Sequence, residues 1–301
     1  MRARVRRAAD ELGYTPNALA SSLTTGRTKL IGLVVSNFRN PLFLDILDRA
    51  TRRLQERGLR PLLVNLSDER EPDASIAMLR TYSVDAVIVA SSTLPPTFAQ
   101  AFAAASLPVV HAFGRASTIP DVPVVGIDNL ECGRMAAREL LARGYERPAF
   151  LGGPAAATST QDRLQGFVTT LGPRRAPVAR AFADAYTFDA GRREMLRLIA
   201  AGTDADAWFC GDDVIAIGAL SVLRERGVSV PGSVGVIGLN DMEMAGWEGV
   251  DLTTIAQPIP EIVDAAVETV VEMLGEGASG PPPTQLFPCT LRERGTLRPR
   301  G

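Results

Sequence analysis

Residues 30–65 read LIGLVVSNFRNPLFLDILDRATRRLQERGLRPLLVN, and their pattern decides the fold. The apolar run 30–35 is short and rich in valine, leucine and isoleucine, which predicts a buried strand. An amphipathic helix is then predicted by apolar residues at helical spacing, namely Phe43, Ile46, Leu47, Ala50 and Leu54. A second apolar run, 61–65, predicts another strand. This order is typical of a parallel sheet that is covered by helices on both faces.

The alternation of strands and helices continues and then restarts after a long predicted helix at 128–144. Apolar runs predict further strands before this helix at 85–90, 108–113 and 124–127, and after it at 148–153, 180–185, 207–210, 234–238 and 252–256. Two similar halves in tandem predict two doubly wound parallel-sheet lobes. Since ligands bind such sheets at the carboxyl ends of their strands, the natural site is the cleft between the lobes.

Composition and charge narrow the class of protein. The chain has 301 residues, of which 46% are hydrophobic and 22% are charged, as expected for a folded protein of two lobes. No apolar run is long enough for a membrane span, and no apolar stretch follows the basic N-terminus. We therefore expect no membrane association, no secretory signal and a cytoplasmic location.

The charge is uneven, because basic residues are concentrated before the first strand. They are Arg2, Arg4, Arg6, Arg7, Arg27 and Lys29, against the acidic residues Asp10 and Glu11. A helix is predicted over 2–12, and a short second helix starts at Pro16. A basic end on a near-neutral body suits a contact with nucleic acid at one pole, although a solvated helix face would have the same charges.

Metal and catalytic chemistry receive little support. The cysteines Cys132, Cys210 and Cys289 form no paired motif and are predicted to be reduced, mostly buried thiols. His111, the single histidine, lies in an apolar run and is expected in the core or in a pocket wall. The motifs GxxxxGK[ST] and GxSxG do not occur, and the GxGxxG match at residues 275–280 lies in a Gly/Pro loop after a predicted helix, not between a strand and a helix as a dinucleotide-binding fingerprint requires. We predict neither an enzyme nor a metal or cofactor site.

An ordered series of motifs resembles the lactose/galactose-repressor family of bacterial transcriptional regulators. The segments that carry the resemblance are RVRRAADELGYTPNALASSL (4–23), IGLVVSNFRNPLFLDIL (31–47), VGIDNLECGRMAARELLARGYERPAFLGG (125–153), STQDRLQGF (159–167), CGDDVIAIGAL (210–220) and LTTIAQP (252–258). The resemblance implies a headpiece remnant with a hinge helix at 1–28 and an effector-binding and dimerisation domain at 29–301. The N-lobe would comprise 29–126 plus 256–285, and the C-lobe 127–255 plus 286–301.

The family resemblance also defines what the N-terminal segment would do. Family members begin with a helix-turn-helix pair, whose second helix reads the major groove. Nothing precedes the helix at Arg2 here, so we expect further coding sequence upstream of Met1. The alternative is a headpiece-less sensor or solute-binding protein that binds ligand and dimerises without specific DNA binding.

The hinge residues implied by the resemblance are Leu23, Asn17 and Ala20. Leu23 matches the leucine that paired hinge helices insert between base pairs of the minor groove, and Asn17 and Ala20 match positions that face the groove. Ser21 stands where many family members have arginine. Two hinge helices imply a homodimer on operator DNA. In the alternative interpretation, Leu23 merely packs the helix onto a neighbour.

The resemblance further implies a set of ligand-binding side chains in the cleft. Arg163 matches the family arginine that holds effector hydroxyls or a carboxylate. Asp212 and Asn240 follow two strands, with the residue types swapped relative to many family members. Asp213 is predicted to cap the helix that follows it, and a cap is also the alternative for Asp212.

The remaining ligand-binding positions are mostly aromatic. Tyr186 and Phe43 match positions that stack on flat rings, although Phe43 also fits the core face of its helix. Phe113 replaces a cleft aspartate of some family members, and Gln257 lies at a crossing between lobes. Together these residues predict a small polar effector with a flat or apolar face, such as a sugar, a glycoside or a nucleoside. The predicted function is a ligand-responsive repressor.

Overall fold

The computed structural model describes residues 26–66, 72–116, 122–173, 177–275 and 282–300, together with 22–24 and the single positions Arg4, Arg7 and Glu11. Within these ranges the chain forms two α/β lobes, each built on one six-stranded sheet. The predicted fold class is thereby confirmed.

The first lobe contains the predicted alternation of strands and helices. Its elements are β1 (Leu30–Ser36), α1 (Leu42–Glu56), β2 (Arg60–Leu66), α2 (Asp73–Thr81), β3 (Ala86–Ala90), α3 (Pro96–Ala104), β4 (Val109–Ala112) and β5 (Val124–Ile127). The strands β3, β4 and β5 are buried along their whole length, as expected for parallel strands between two layers of helices.

The second lobe repeats this arrangement. Its elements are α4 (Asn129–Ala142), β6 (Pro148–Gly152), α5 (Thr158–Leu171), β7 (Arg180–Phe182), α6 (Phe188–Ala200), β8 (Ala207–Cys210), α7 (Asp213–Glu225), β9 (Gly235–Asn240), a 3-10 helix (Glu243–Gly246) and β10 (Thr254–Ala256). The chain then continues with α8 (Ile259–Met273), β11 (Gln285–Phe287) and β12 (Thr290–Arg292).

The end of the chain contributes to both lobes. The first sheet has the strand order β2-β1-β3-β4-β5-β11, and the second has the order β7-β6-β8-β9-β10-β12. β11 pairs parallel with β5, whereas β12 pairs antiparallel with β10. α8 packs on α1 and β4 and so belongs to the first lobe. The chain therefore crosses between lobes after β5, after β10 and between β11 and β12.

The helices α4 and α5 approach each other closely because glycine stands at both contact points. A Cβ atom on Gly133 would lie 2.1 Å from the carbonyl oxygen of Arg163, and one on Gly166 would lie 1.9 Å from that of Leu130. Both distances are far below van der Waals contact, so each position excludes a side chain. This contact fixes α5, which carries Arg163, against the first turns of α4.

The segment before β1 is tied to the first lobe. The backbone N–H groups of Thr28 and Lys29 donate to the two carboxylate oxygens of Asp85 at 3.0 and 2.8 Å, and the Thr28 hydroxyl donates to the carbonyl of Ser83 at 2.7 Å. Residues 22–24 are helical. Asn17, Ala20 and most of the predicted helix 2–12 lie outside the described residues.

The described helices are all too short or too polar to cross a lipid bilayer.

Candidate ligand-binding cleft

A narrow cavity lies between the lobes, where the carboxyl ends of strands from both sheets meet. Its walls are formed by Asn37, Asn40, Leu42, Phe43, Ile46, Ser92, Phe113, Arg163, Tyr186, Asp212, Asn240 and Gln257. Every position that the family resemblance implied for ligand binding is in this set. That these side chains bind a ligand stays a prediction.

The cavity is nearly closed in this arrangement of the lobes. The space between its walls is about 330 Å³ with the open solvent at its mouth included, and little of it admits even a water molecule. A sugar-sized ligand therefore needs the lobes to separate or the walls to rearrange. An adjoining wider groove shares Leu42, Asn240 and Gln257 with the cavity and leads towards solvent.

A chain of hydrogen bonds crosses the cleft. Asp212 Oδ2 accepts from the side-chain amide of Asn40 in the first lobe and from that of Asn240 in the second, both at 2.9 Å. The Nε2 group of Gln257 then donates to Asn240 Oδ1 at 2.5 Å. Because a carboxylate only accepts, it orients both asparagine amides with their NH₂ groups towards Asp212. These three hydrogen bonds connect the first lobe to the second and tie the second crossing, at Gln257, to them.

Asp212 combines helix capping with this contact across the cleft. Its Oδ1 accepts from the backbone N–H of Val214 at 2.8 Å and so caps α7, while Oδ2 faces the cavity. Burial raises the pKa of Asp212 to about 6, against the lowering effects of the Val214 N–H, the charge of Arg163 and the two asparagine amides. At neutral pH the group is therefore mainly a carboxylate.

The capping role predicted for Asp213 is wrong. Asp213 is the first residue of α7 and is fully buried, with its oxygens accepting from the Thr254 hydroxyl at 2.6 Å and the Met242 N–H at 2.8 Å. Burial raises its pKa to about 7. Asp213 points into the sheet because Gly238 leaves room there, where a Cβ atom would lie 2.2 Å from Asp213 Oδ1. It links the loop after β9, through Met242, to the first residue of β10, Thr254.

Arg163 is held by two acceptors on neighbouring elements. Its Nε donates to Asn129 Oδ1 at 2.8 Å, and its Nη1 donates to the carbonyl oxygen of Gly211 at 2.5 Å. The side chain is almost fully buried, so its direction is fixed. A guanidinium carries five donors in a rigid fork, and those beyond these two bonds are suited to hydroxyl or carboxylate oxygens in the cavity.

Aromatic side chains form the less polar walls. Tyr186 is fixed by its hydroxyl group, which lies 2.7 Å from Thr160 Oγ1 and 3.2 Å from Ser159 Oγ. Phe113 follows β4 with a φ of 64° and is buried. Phe43 satisfies both interpretations of its position, because it belongs to the core of the first lobe and also lines the cavity.

Sequence reasoning missed several polar residues of the cleft. Asn37 lines it, and its Nδ2 group is buried without a hydrogen-bond partner in the described part of the chain, so it is a free donor. Asn40 and Ser92 also line it. These residues follow the carboxyl ends of β1 and β3, and the reasoning that located Asp212 after its strand would have located them too.

A second contact between the lobes lies beside the cleft. Arg115 of the first lobe forms a two-pronged ion pair with Asp162 on α5, with nitrogen–oxygen distances of 2.8 and 2.7 Å, and also donates to the carbonyl of Thr158 at 2.8 Å. The N–H of Ser159 donates to the carbonyl of Ser92 at 3.2 Å. Neither Arg115 nor Asp162 was singled out from the sequence.

Metal chemistry finds no support in the described ranges, where no three side chains of histidine, cysteine, aspartate or glutamate converge. His111 is buried in β4, with Nε2–H donating to the carbonyl of Ser91 at 3.0 Å. Burial lowers its pKa to about 4, so the ring is neutral at physiological pH. His111 is a core residue.

Of the predicted DNA-contacting residues, only Leu23 is described. It is helical, and 89% of its surface is exposed. It therefore does not pack on the described part of the chain; the alternative, that it packs on the neighbouring predicted helix, concerns residues outside the described ranges and stays open. Asn17 and Ala20 lie outside the described residues.

Comparisons with known proteins agree with this architecture. Residues 137–297 match the model of the periplasmic binding protein-like domain. The chain is 33% identical over 264 residues to the HTH-type transcriptional regulator CelR of Thermobifida fusca, which covers 84% of this chain and 77% of that protein.

Solved structures show the same fold. A complex of the transcriptional regulator CelR with cellobiose superposes with a TM-score of 0.80 at 28% identity, covering 98% of this chain and 90% of that one. A lac repressor dimer bound to operator and the anti-inducer ONPF superposes with a TM-score of 0.87 at 24% identity, covering 99% of this chain and 90% of that one.

Proposed function

This chain belongs to the lactose/galactose-repressor family of bacterial transcriptional regulators, and we propose that it is a repressor whose DNA affinity is set by a sugar or sugar-like effector bound between its lobes. It acts as a homodimer on operator DNA in the cytoplasm. The observation that carries this proposal is the convergence of Arg163, Asp212 and Asn240 from one lobe with Asn40 from the other on a single cavity.

The chemistry of the cavity supports a polyhydroxylated ligand. Arg163 and Asn37 offer donors, Asp212 offers a carboxylate, and Gln257 and Asn240 offer both kinds of group. A sugar ring has an apolar face as well as hydroxyl groups, and Phe43, Phe113 and Tyr186 would pack on such a face. CelR was solved with cellobiose, which makes β-linked glucosides the first compounds to test.

The coupling to DNA runs through the chain before β1. A ligand that enters the cleft needs more space than the closed cleft holds, and in our proposal this space comes from a change in the separation of the lobes. The hinge segment is tied to the first lobe through Asp85 and moves with it. A changed distance between two such segments in a dimer would order or melt the hinge helices, and DNA affinity would follow by linkage.

The proposed DNA contacts are Leu23, Asn17 and Ala20. A leucine that is 89% exposed leaves its side chain available as an apolar wedge. Inserting such a wedge kinks the duplex, and unstacking costs a few kcal/mol per base step, which further contacts must offset. The energetic cost makes DNA binding sensitive to the geometry of the hinge.

The first experiment is a thermal-shift screen of the purified protein with cellobiose, other disaccharides, monosaccharides and nucleosides, followed by calorimetric titration of each compound that raises the Tm. We expect one sugar class to bind, and Arg163→Lys to lose at least about tenfold in affinity. Arg193→Lys is the matched control, because Arg193 makes an exposed ion pair with Asp184.

Binding to DNA is measured in parallel, using duplexes selected from a random pool and fluorescence anisotropy with and without the sugar. A change of operator affinity on adding the sugar supports the proposal. Sugar binding without any selected duplex, in protein isolated from its native source, would instead support the headpiece-less sensor. Absence of sugar binding and of duplex selection would overturn both interpretations.

We also propose that the chain lacks catalytic activity, in keeping with relatives that are transcriptional regulators. The bound sugar should be recovered chemically unchanged after prolonged incubation. Recovery of hydrolysed or isomerised sugar in proportion to protein, and its loss in Asp212→Asn, would contradict this.

A further inference from the structure

Two cysteines that are far apart in sequence meet at the third crossing between the lobes. Cys132 lies in the first turn of α4, and Cys289 lies between β11 and β12, where the chain passes from the first sheet to the second. Their Sγ atoms are 3.5 Å apart. A disulfide needs about 2.05 Å between the sulfurs, so a shift of about 1.5 Å would join them.

We propose that Cys132 and Cys289 form a redox-sensitive dithiol, which a peroxide converts into a disulfide that fastens the third crossing to the second lobe. The proposal is independent of which ligand the cleft takes. It rests on the distance between the sulfurs, on their unequal exposure and on the position of the crossing.

The two thiols differ in the way that an attacking and a resolving cysteine differ. Cys289 is partly exposed, whereas Cys132 is buried. Cys132 donates a hydrogen bond to Cys289 Sγ, which lowers the pKa of Cys289 and raises that of Cys132. The charge of Arg163 also lowers the pKa of Cys289. Redox-sensor cysteines are typically accessible, have a lowered pKa and lie beside a second thiol that resolves the oxidised form.

The reaction with hydrogen peroxide proceeds in two steps. The Cys289 thiolate attacks one peroxide oxygen, so that an S–O bond forms, the O–O bond breaks, and the leaving hydroxide takes a proton to become water. Cys132, having given up its proton, then attacks Cys289 Sγ; the S–S bond forms, the S–O bond breaks, and a second water leaves. Each sulfur gives up one electron, and the peroxide accepts both.

The disulfide would affect the ligand site because α4 carries residues that position Arg163. Asn129, one turn before Cys132 on the same helix, accepts the hydrogen bond from Arg163 Nε. Gly133, directly after Cys132, contacts the backbone of Arg163. Oxidation would therefore tie the crossing to the helix that orients Arg163, and would restrain the crossing as the lobes move.

The test treats the purified protein with hydrogen peroxide or dithiothreitol and measures intact mass and non-reduced peptides. We expect the oxidised monomer to lose about 2 Da, the two thiol hydrogens, with one cross-linked peptide pair containing Cys132 and Cys289. Cys210→Ser is the matched control and should behave like the wild type, because Cys210 is fully buried. A cross-link to Cys210, an intermolecular link, or a Cys289 that is oxidised only to sulfinic acid would overturn the proposal.

Two variants separate the roles of the thiols. Cys132→Ser should leave a sulfenic acid at Cys289 that dimedone traps, whereas Cys289→Ser should show no rapid oxidation. Equal trapping in both variants contradicts the assignment. Should either variant fail to fold, alkylation of the wild type by N-ethylmaleimide decides the same point, because Cys289 should be modified well before Cys132 and Cys210.

The effect on the crossing is measured by amide hydrogen exchange. Segments 287–290 and 256–259 should exchange more slowly in the oxidised wild type than in the reduced one, and peroxide should have no such effect on Cys289→Ser. Unchanged exchange at 287–290 after complete cross-linking would show that the bond does not restrain the crossing.

Discussion

The side-chain amide of Asn40 in the first lobe donates a 2.9 Å hydrogen bond to the carboxylate of Asp212 in the second. Both residues are almost completely buried. Hydrogen bonds to a charged group contribute about 1.5–3 kcal/mol, more than neutral ones. This bond therefore contributes to holding the lobes together, beside the contacts of Arg115 with Asp162 and Thr158.

Asn40→Ala should open the cleft. The variant loses the bond between the lobes and leaves Asp212 Oδ2 with the Asn240 amide, so the balance between closed and open lobes should shift about tenfold or more towards open. Small-angle scattering should report a larger radius of gyration without ligand. Asn65→Ala, at an exposed position of β2, is the control. Identical scattering of both variants would contradict the role of Asn40.

Arg115→Ala should have a weaker effect that depends on salt. The ion pair of Arg115 with Asp162 joins the same lobes, but its side chains are 32% and 15% exposed, so solvent and ions screen it. We expect a change in sugar affinity of a few fold at low salt that shrinks at about 1 M salt. Calorimetric titration over a salt series tests this. A large effect that persists at high salt would mean that the Thr158 contact dominates.

Arg163→Lys should lower stability as well as affinity. Lysine keeps the charge but cannot reach Asn129 and Gly211 with one rigid fork, and each buried acceptor left without a partner costs about 1–3 kcal/mol. Urea unfolding should show a lower midpoint with an unchanged slope. The exposed Arg193→Lys should lie within about 0.5 kcal/mol of the wild type.

The contribution of Asp212 and Asp213 to stability should fall as pH rises from about 4 to about 7, and buried His111, whose pKa is lowered to about 4, should offset part of this fall up to about pH 6.5. The pKa of Asp213 is about 7 in the folded protein and that of Asp212 about 6, both raised by burial above the usual 3.8. In this range the folded state binds more protons than the unfolded chain, so the free energy of unfolding decreases by up to about 1.4 kcal/mol per pH unit for each group. Above pH 7 the loss levels off.

Asp213→Asn should reduce the decrease in the free energy of unfolding between pH 4 and pH 7. An amide can accept from the Met242 N–H and donate to the Thr254 hydroxyl, so it keeps both bonds without a titrating group. Urea midpoints measured from pH 4 to pH 8 test the expectation. Glu131, Glu139 and Glu225 act in the opposite sense at lower pH, because their arginine partners hold their pKa values below the usual range. A wild-type slope retained in Asp213→Asn would refute the assignment.

Leu23→Ala should leave folding unchanged and weaken DNA binding. Because 89% of Leu23 is exposed, its removal should alter the free energy of unfolding by less than about 0.5 kcal/mol. Loss of an apolar wedge should lower operator affinity about tenfold. Circular dichroism and anisotropy on a selected duplex measure the two effects. Leu63→Ala, at a half-exposed position on β2, is the control.

The sequence predicted the lobes well because parallel strands are buried on both faces and read as apolar runs, as β3 and β4 do. The crossings between lobes came from the family resemblance, since periodicity carries no information about which sheet a strand joins. The third crossing lies between Phe287 and Thr290, close to the expected lobe boundary between residues 285 and 286. The antiparallel direction of β12 was not predicted.

The cleft was predicted less completely, because the sequence alone does not show in which direction a side chain points. Asp212 and Asp213 are adjacent acids at a helix start, and which of them turns into the sheet depends on features such as the space beside Gly238 that local sequence does not show. Asn40 sits in a loop of turn-forming residues, where an asparagine is common without any ligand. The pairing of Cys132 with Cys289 spans 157 residues, a separation at which sequence spacing says nothing about contact.

Both sheets receive their final strand from residues 285–292, as β11 and β12. Neither lobe is thus continuous in the chain, and neither sheet is complete until residues 285–292 have left the ribosome. Domains encoded in one stretch fold during synthesis, whereas here the β5 and β10 edges stay open until the last strands arrive. Chaperone binding to nascent chains and loss of solubility on early termination should therefore affect the two lobes together.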